Sequence, residues 1–275
     1  AEQAIGWSIA LTAAMAEVQN ARVEAWHPAF GALRPHPRQA EVAQRLCTAL
    51  DGSGRVIRQH LAACIVTDAD RGTEEHAGQD AYSLRCAPQV IGAVWDMLDW
   101  HNQTVETELN AVTDNPIFPP SQDDAIFVLH GGNFLGQHVG LASDALANGI
   151  SVLAGLAERQ IARLTDEKLN RGLPAFLHQG VGGLHSGRMG AQVTATALVA
   201  EMRVVMGASA QSISTNGANQ DVVSMGTIAA RQVAQKLDML AQVQAILALC
   251  VAQAIDIRGA DQTMGLFSPA SLKLH

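Results

Sequence analysis

Residues 136–166 read GQHVGLASDALANGISVLAGLAERQIARLTD, and this stretch decides the fold. Its apolar residues recur every three or four positions, which is typical of one face of an α-helix. At about 1.5 Å per residue, such a helix is about 45 Å long. A helix of this length needs partners along its whole length, so it predicts a long antiparallel bundle, shared between subunits. The apolar stripe consists of Val139, Ala142, Leu146, Ile150, Leu153, Ala157, Ile161 and Leu164.

The rest of the chain has the same periodicity, and no stretch alternates polar and apolar residues for long. We therefore predict an all-α fold with a single helical-bundle region over residues 1–275. The segment from Ala245 to Ala252 is apolar all round and is expected to be buried in the bundle. The further predicted helices are Ala40–Leu50, a short run that ends near Val66, Val90–Asn110, Gly190–Met206 and Val222–Arg258.

Composition excludes several classes of function. The 275-residue chain of 29.0 kDa has a formal net charge of −8, which disfavours binding to nucleic acids and to anionic membranes. Its most apolar stretch, Met239–Ile257, is interrupted by polar residues, so we expect no membrane span. The four cysteines match neither a zinc site nor a disulfide framework, and a reducing cytoplasm fits them best.

Both ends of the sequence resemble parts of longer helices. The apolar residues Ile5, Ile9 and Ala13 recur at helical spacing, with no capping residue before them. At the other end, Ser268 and Pro269 are a typical helix start that is followed by few residues. We expect a chain truncated at both ends, although frayed termini would have a similar pattern.

The long connectors between the helices are where functional residues are expected. The single tyrosine, Tyr82, lies three residues before Arg85. A phenol near cations or a helix N-terminus can transfer protons, and a guanidinium group binds a carboxylate through two hydrogen bonds. The pair therefore suits proton transfer on a carboxylate-bearing molecule. The structural alternative is a packed tyrosine ring and an arginine that caps a neighbouring helix.

A second connector, residues 212–221, is rich in neutral hydrogen-bonding side chains. Asn216, Asn219 and Gln220 are candidates to bind a polar substrate group or to support a catalytic group. Asp221 is predicted to cap the longest helix. The alternative is a loop whose side chains satisfy only its own backbone.

Other candidates are weaker. Phe134 follows a Gly-Gly-Asn hinge and is predicted to form a pocket wall against a planar ligand, or else to be a buried anchor. His178 and His185 lie in a glycine-rich loop, and residues 74–76 read Glu-Glu-His. A solvated loop explains both groups better than a metal site, so we predict no metal.

Five ordered segments resemble the aromatic amino-acid ammonia-lyase family, which includes histidine, phenylalanine and tyrosine ammonia-lyases. The similarity covers nearly the whole chain and is greatest to the bacterial tyrosine ammonia-lyases. It implies the ammonia-lyase/aspartase-like superhelical fold, a homotetramer, and active sites built from several subunits. The five segments are Gly78–Gln89, Glu108–Pro116, His130–Phe134, Arg163–Leu177 with Leu169-Asn170-Arg171-Gly172-Leu173-Pro174, and Asn219–Gly226.

The resemblance also implies a chemistry, the elimination of ammonia from an aromatic L-amino acid. The electrophile in this family is methylidene-imidazolone (MIO), which forms from an internal Ala-Ser-Gly. Tyr82 would handle the amine and its protons, Arg85 would hold the substrate carboxylate, and Gln79 would support the electrophile region. Phe134 would line the pocket, and the loop amides named above would surround the substrate side chain and the electrophile.

This chain departs from the family pattern in one important way, because its sequence contains no Ala-Ser-Gly. The family's N-terminal part, with its lid tyrosine and ring-contact residues, is also missing. We expect the 275-residue polypeptide alone to be inactive.

Gln220 bears on the choice of substrate. A histidine-specific member of the family has a glutamate at this position, which suits an imidazolium group, whereas a neutral amide favours tyrosine or phenylalanine. Three alternatives stay open: a histidine ammonia-lyase, a tyrosine or phenylalanine 2,3-aminomutase, and a non-catalytic helical module that only forms oligomers.

Overall fold

The computed structural model describes residues 1–56, 79–120, 125–259 and 266–275, and within these ranges it contains helices but no β-strand. The all-α prediction is confirmed. The predicted helix that ends near Val66 lies mainly outside the described residues. The helices are α1 (Glu2–Val18), α2 (Pro28–Leu33), α3 (Pro37–Ala49), α4 (Tyr82–Arg85), α5 (Ala87–Leu109), α6 (Gln137–Thr165), α7 (Met189–Val204), α8 (Gly226–Gly259) and α9 (Pro269–Leu272).

Most helices lie close to their predicted positions. The apolar stripe from Val139 to Leu164 forms α6, whose ends lie within one residue of the prediction. Helices α3 and α5 begin three residues earlier than predicted, each with a proline in its first turn, where the missing N–H group costs nothing. The short helix at Ser268 is confirmed as α9, and the Ser268 hydroxyl caps it by accepting a hydrogen bond from the N–H group of Ser271 at 3.2 Å.

The predicted start of the longest helix is wrong. Helix α8 begins at Gly226 rather than at Val222, so Asp221 is not its N-cap. The residues before Gly226 belong to the preceding loop, because the N–H group of Val223 donates a hydrogen bond to Ser212 Oγ at 2.9 Å. Met225 has a φ of 54°, a left-handed conformation that α8 cannot continue through.

Helix α8 is also less buried within the chain than predicted. In the segment from Ala245 to Ala252, the side chain of Leu249 is 52 % exposed. Both α6 and α8 contain segments that are long and apolar enough to cross a membrane, with 61 % and 44 % of these segments buried in the chain. The larger exposed share of α8 includes the apolar side chain of Leu249.

Three of the long helices run in the same direction. Gln244 Nε2 donates to the carbonyl oxygen of Ala4, and Arg258 Nε donates to that of Val18, so α8 follows α1 from start to end. The first turns of α6 lie beside Gly226, and the loop after α6 is held by Arg258. Helix α6 therefore runs parallel to α8.

Helices α5 and α7 supply the antiparallel packing that was predicted. Val94 near the start of α5 lies against Gly149, while His101, further along, reaches Ser143, which comes earlier in α6. In the same way, the loop that follows α7 returns to Asp144, near the start of α6. The bundle therefore has two distinct ends, about 43 Å apart along α6.

We name these ends by their functional residues. The tyrosine end contains residues 19–26, 79–86 and 166–189, where α1, α6 and α8 finish. The amide end contains residues 110–117, 129–136 and 205–225, where α6 and α8 begin.

Helices α3 and α5 approach each other closely at Gly92. A Cβ atom at this position would lie 2.6 Å from both the N and Cα atoms of Gln39, which are backbone atoms. We expect Gly92→Ala to lower the free energy of unfolding by about 1–3 kcal/mol, because the helices must separate. As a matched control, Gly6→Ala in α1 meets nothing within 4 Å and should stabilise the protein by about 0.5–1 kcal/mol. Urea unfolding measures both, and equal stabilities would contradict the prediction.

Cys250 on α8 is fully buried, and burial raises the pKa of its thiol to about 11, although the positive charge of Arg188 opposes this. The folded-state pKa thus lies above the unfolded one, so this contribution to stability is complete below pH 9 and is lost as the pH rises towards 11. We expect a loss of about 2–3 kcal/mol from this thiol. The wild-type unfolding free energy should therefore fall more steeply above pH 9 than that of Cys250→Ala, and parallel curves would refute this.

Candidate active site

Tyr82 and Arg85 lie at the two ends of the single-turn helix α4, which is held against the bundle by a buried side chain and two hydrogen bonds. The Leu84 side chain is buried, and its carbonyl oxygen accepts a hydrogen bond from Trp26 Nε1 at 3.2 Å. The carbonyl oxygen of Ser83 accepts one from Gln160 Nε2 of α6 at 2.9 Å. A helix of one turn is not stable by itself, so these tertiary contacts hold it in place.

The turn presents the predicted pair outwards. Tyr82 is 71 % exposed, and its hydroxyl group has no hydrogen-bond partner among the described residues. The Arg85 guanidinium group lies 4.7 Å from the centre of the Tyr82 ring, and its Nε donates to the carbonyl oxygen of Asp80 at 3.2 Å. Its two terminal nitrogen atoms have no partner in the described part of the chain, so they are available to a carboxylate group.

A cavity of about 300 Å³ opens beside this pair. Gln79 is among the residues that line this cavity, and its side chain is exposed. Gln89, which also lines the cavity, has a buried Oε1 atom without a hydrogen-bond partner in the described structure. The cavity is lined by Arg22, Glu24, Ala25, Phe30, Gln79, Asp80, Arg85, Cys86 and Gln89.

The amide-rich loop at the other end of the bundle has an unusual backbone. Asn216, Gly217 and Ala218 have φ values of 52°, 61° and 64°, so three successive residues form a left-handed turn. Backbone hydrogen bonds in both directions between Thr215 and Gln220 close this turn, and the Thr215 hydroxyl also bonds Gln220 Oε1 at 3.1 Å. A left-handed conformation costs about 1–2 kcal/mol for a residue such as Ala218, whereas glycine and asparagine adopt it more readily, and such strain concentrates at functional sites.

The loop exposes the three predicted side chains, those of Asn216, Asn219 and Gln220. Their amide groups are exposed to solvent in the single chain, and their role in binding stays a prediction.

Asp144 of α6, which was not predicted as a site residue, holds the start of this loop. Its carboxylate accepts hydrogen bonds from the N–H groups of Ala208 and Ser209 and from the Ser209 hydroxyl, at 2.6–3.1 Å. Lys236 of α8 is buried near it. Burial lowers the pKa of the Lys236 ammonium group, and the negative charge of Asp144 opposes this shift.

Phe134 lies at the same end, in the loop that precedes α6. Its side chain is exposed rather than buried, so the anchor alternative is wrong within the single chain. The loop is tied to the segment after α5, because Asn133 Nδ2 donates to the carbonyl oxygen of Val112 at 3.2 Å, and Gly131 N–H donates to Asn115 Oδ1 at 2.8 Å. Phe134 and the amide-rich loop therefore occupy one end of the bundle.

One chain does not bring all the predicted residues together. Gln79, Tyr82 and Arg85 lie at the tyrosine end, beside Gln160 of α6, whereas Phe134 and the loop amides lie near Gln137, at the start of the same helix. The rise of α6 between these two glutamines is about 35 Å. A single small ligand cannot contact both groups within one chain.

The metal prediction remains a prediction. Within the described ranges, no three histidine, cysteine, aspartate or glutamate side chains cluster as metal ligands would. Residues 74–76 lie outside those ranges.

These features define an all-α class of protein, with a phenol and a guanidinium group at one end of a long bundle and a strained, amide-rich loop at the other. The family model described as aromatic amino acid lyase matches residues 1–275. The chain belongs to the aromatic amino acid lyase family.

Similar proteins carry three activities in their names. The tyrosine ammonia-lyase of Cereibacter sphaeroides is 61 % identical over 268 residues, which are 98 % of this chain and 51 % of the relative. The MIO-dependent tyrosine 2,3-aminomutase of Streptomyces globisporus is 42 % identical over 231 residues, 82 % of this chain and 42 % of the relative. The histidine ammonia-lyase of Treponema denticola is 41 % identical over 227 residues, 82 % of this chain and 41 % of the relative.

The fold agrees with these similarities. The crystal structure of the tyrosine aminomutase from Streptomyces globisporus superposes with a TM-score of 0.88 and 40 % identity, over 99 % of this chain and 52 % of the other. The chain thus spans about half the length, or somewhat less, of the relatives it matches.

Proposed function

We propose that the protein eliminates ammonia from an aromatic L-amino acid, tyrosine in particular. In this reaction the β-carbon loses a proton, its electron pair forms the Cα=Cβ double bond, and the C–N electron pair leaves with the nitrogen as ammonia. Tyrosine gives coumarate, and phenylalanine gives cinnamate. The observation that carries the proposal is the exposed Tyr82–Arg85 pair on the fixed helix α4. The chain that presents this pair is similar to about half of a tyrosine ammonia-lyase.

The residues of the tyrosine end have complementary roles in this chemistry. The terminal nitrogens of Arg85 bind the substrate carboxylate through two hydrogen bonds, which orients the α-carbon. The Tyr82 side chain, as a phenolate, accepts a proton from the substrate ammonium group and then, as a phenol, returns a proton to the leaving amine.

The MIO electrophile of the family would activate the substrate amine as a leaving group. Its Ala-Ser-Gly precursor does not occur in this sequence, so the residues of this chain would face the group rather than form it. They fit this role, because the Tyr82 hydroxyl and the buried Oε1 of Gln89 lack partners in the described structure, and Gln79 is exposed at the cavity rim. Gln79 would hold the group by hydrogen bonding.

We further propose a homotetramer in which each active site combines the tyrosine end of one subunit with the amide end of another. The distance of about 35 Å between the two groups supports this, since a complete site then needs two chains. Exposed apolar side chains along the rods supply surface for assembly, among them Trp100 of α5, Val193 of α7 and Leu249 of α8. We place the protein in the cytoplasm, which its free thiols at Cys47, Cys86 and Cys250 suit.

The preference for tyrosine rests on Gln220. A neutral amide leaves an imidazolium ring without a counter-charge but accepts a phenol or phenyl ring. The name of the Cereibacter sphaeroides relative, tyrosine ammonia-lyase, agrees with this choice.

The proposal is tested by giving the complete gene product tyrosine, phenylalanine and histidine separately, and by following coumarate, cinnamate and urocanate. We expect coumarate to form fastest. Faster turnover of histidine would overturn the substrate assignment, and accumulation of β-tyrosine would identify an aminomutase instead. The absence of every product would refute the lyase activity itself.

A further inference from the structure

Asp80, two residues before the start of α4, is a buried carboxylate whose hydrogen bonds come from distant parts of the chain. Its side chain is 3 % exposed. Oδ2 accepts a hydrogen bond from the N–H group of Arg22 at 2.6 Å, and Oδ1 accepts one from Arg171 Nη2 at 2.7 Å. Its own carbonyl oxygen holds Arg85 Nε. Asp80 is therefore bonded on one side to the scaffold and on the other to the carboxylate-binding arginine.

Arg171 connects this carboxylate to the end of α1. Its Nη1 donates to the carbonyl oxygens of Gln19 and Asn20, where the helix leaves carbonyl groups without partners. The negative end of the α1 dipole attracts the cation, and Arg258 in turn donates to the Arg171 carbonyl oxygen at 2.6 Å. Arg171 has a φ of 57°, so its backbone is held in a strained conformation in making these contacts.

Two guanidinium groups, those of Arg163 and Arg171, are close enough to the Asp80 carboxylate to interact with its charge. Burial and then the charge of Arg171 lower the pKa of the Arg163 guanidinium group, and the charge of Asp80 raises it. The charge of Asp80 thus offsets part of the repulsion between the guanidinium groups of Arg163 and Arg171.

We propose that Asp80 and Arg171 form a positioning pair that directs the Arg85 guanidinium group towards the substrate carboxylate. This inference rests on the proposed function. Because Arg171 and the Arg22 N–H group hold the Asp80 carboxylate, the backbone of Asp80 and its carbonyl oxygen are held in place as well. This carbonyl oxygen accepts the hydrogen bond from Arg85 Nε, so the orientation of the two terminal nitrogens of Arg85 is restricted. Neither Asp80 nor Arg171 touches the substrate.

The test uses two variants that keep charge but change geometry. Asp80→Glu moves the carboxylate by one methylene group within a buried site. Arg171→Lys replaces a fork that reaches three acceptors by a single ammonium group. Both are made in the complete gene product. The inhibition constants of coumarate, which has the carboxylate, and of tyramine, which lacks it, are measured together with KM and kcat for tyrosine.

We expect the inhibition constant of coumarate and the KM for tyrosine to rise about tenfold or more in both variants, because the arginine is misdirected. The inhibition constant of tyramine should change less than about twofold, and melting temperature and oligomeric state should show that the variants are assembled. A role limited to stability would leave both inhibitors unaffected in the folded enzyme. If Asp80→Glu does not assemble, Arg171→Lys alone decides, since Arg171 is partly exposed.

Arg163→Lys is the matched control, because it makes the same substitution at the same end, and Arg163 has no hydrogen bond to Asp80 or Arg85. We expect it to leave the coumarate constant within about twofold of wild type. The inference is overturned if coumarate binding is unchanged in Arg171→Lys, if tyramine weakens equally, or if the control has the same effect. Failure of the proposed function is distinguishable, because the wild-type enzyme itself would then form no product.

Discussion

The Tyr82→Phe variant should lose about 10²–10⁴-fold in kcat, the usual contribution of a group that transfers a proton in the transition state. The ring stays, and its contact with the Arg85 guanidinium group at 4.7 Å stays with it. Only the hydroxyl is removed, and it makes no hydrogen bond in the described structure. We therefore expect an unchanged melting temperature and an unchanged oligomer, with KM within a few-fold of wild type, which steady-state kinetics on tyrosine would measure.

Ser83→Ala provides the control for this variant on the same turn. Its carbonyl oxygen, not its side chain, accepts the hydrogen bond from Gln160, so the turn should hold and activity should stay close to wild type. If the phenylalanine variant kept a tenth or more of wild-type turnover, the role of Tyr82 in proton transfer would be wrong.

Mixing two inactive variants should restore activity if the sites are shared between chains. Tyr82→Phe damages only the tyrosine end, and Asn219→Ala damages only the amide end, about 35 Å away along α6. In oligomers assembled at random from equal amounts of both, about one quarter of the sites receive two intact ends. We expect about a quarter of wild-type activity after the two chains are expressed together, compared with near zero for each alone.

The control mixes Tyr82→Phe with Arg85→Lys. Both changes lie on the same turn, so no combination of chains gives a site with an intact pair, and activity should not return. Affinity tags on the two chains establish that mixed oligomers form. A mixed oligomer of the Tyr82 and Asn219 variants that stays inactive would show that the two ends do not meet in one site.

The long helices were predictable from the sequence because their stability comes from a repeating apolar face. The stripe from Val139 to Leu164 determined α6 to within one residue at each end. The start of α8 was not predictable in this way. Val223 is held by the side chain of Ser212, eleven residues earlier, and this bond has no signature in the local pattern that begins at Asp221.

The candidate site shows the same division. Tyr82, Arg85 and the loop amides were identified because their residue types suit the chemistry and because their segments resemble a known family. The hydrogen bonds from Trp26 and Gln160 that hold helix α4 connect residues that are 58 and 77 positions apart in the sequence. No spacing rule relates such distant positions. The same holds for Asp80 and Arg171, which lie 91 residues apart.

One missed residue did leave a signal. Lys236 is a charged residue in the buried stripe of α8 that also contains Leu240, Val243 and Leu247. A charged residue in an apolar stripe requires a nearby counter-charge, and Asp144 provides it. The direction of each long helix could not be predicted from the apolar pattern, because it depends on how the loops cross the ends of the bundle.

The uninterrupted length of α6 has a consequence for how this architecture can change. Its two tips serve different catalytic centres of the proposed assembly, so its 29 residues act as a spacer that determines both their separation and their relative angle. Inserting a single amino acid would lengthen the spacer by about 1.5 Å and twist one tip against the other by about 100°. Insertions and deletions should therefore be tolerated in the connectors between helices but not within α6.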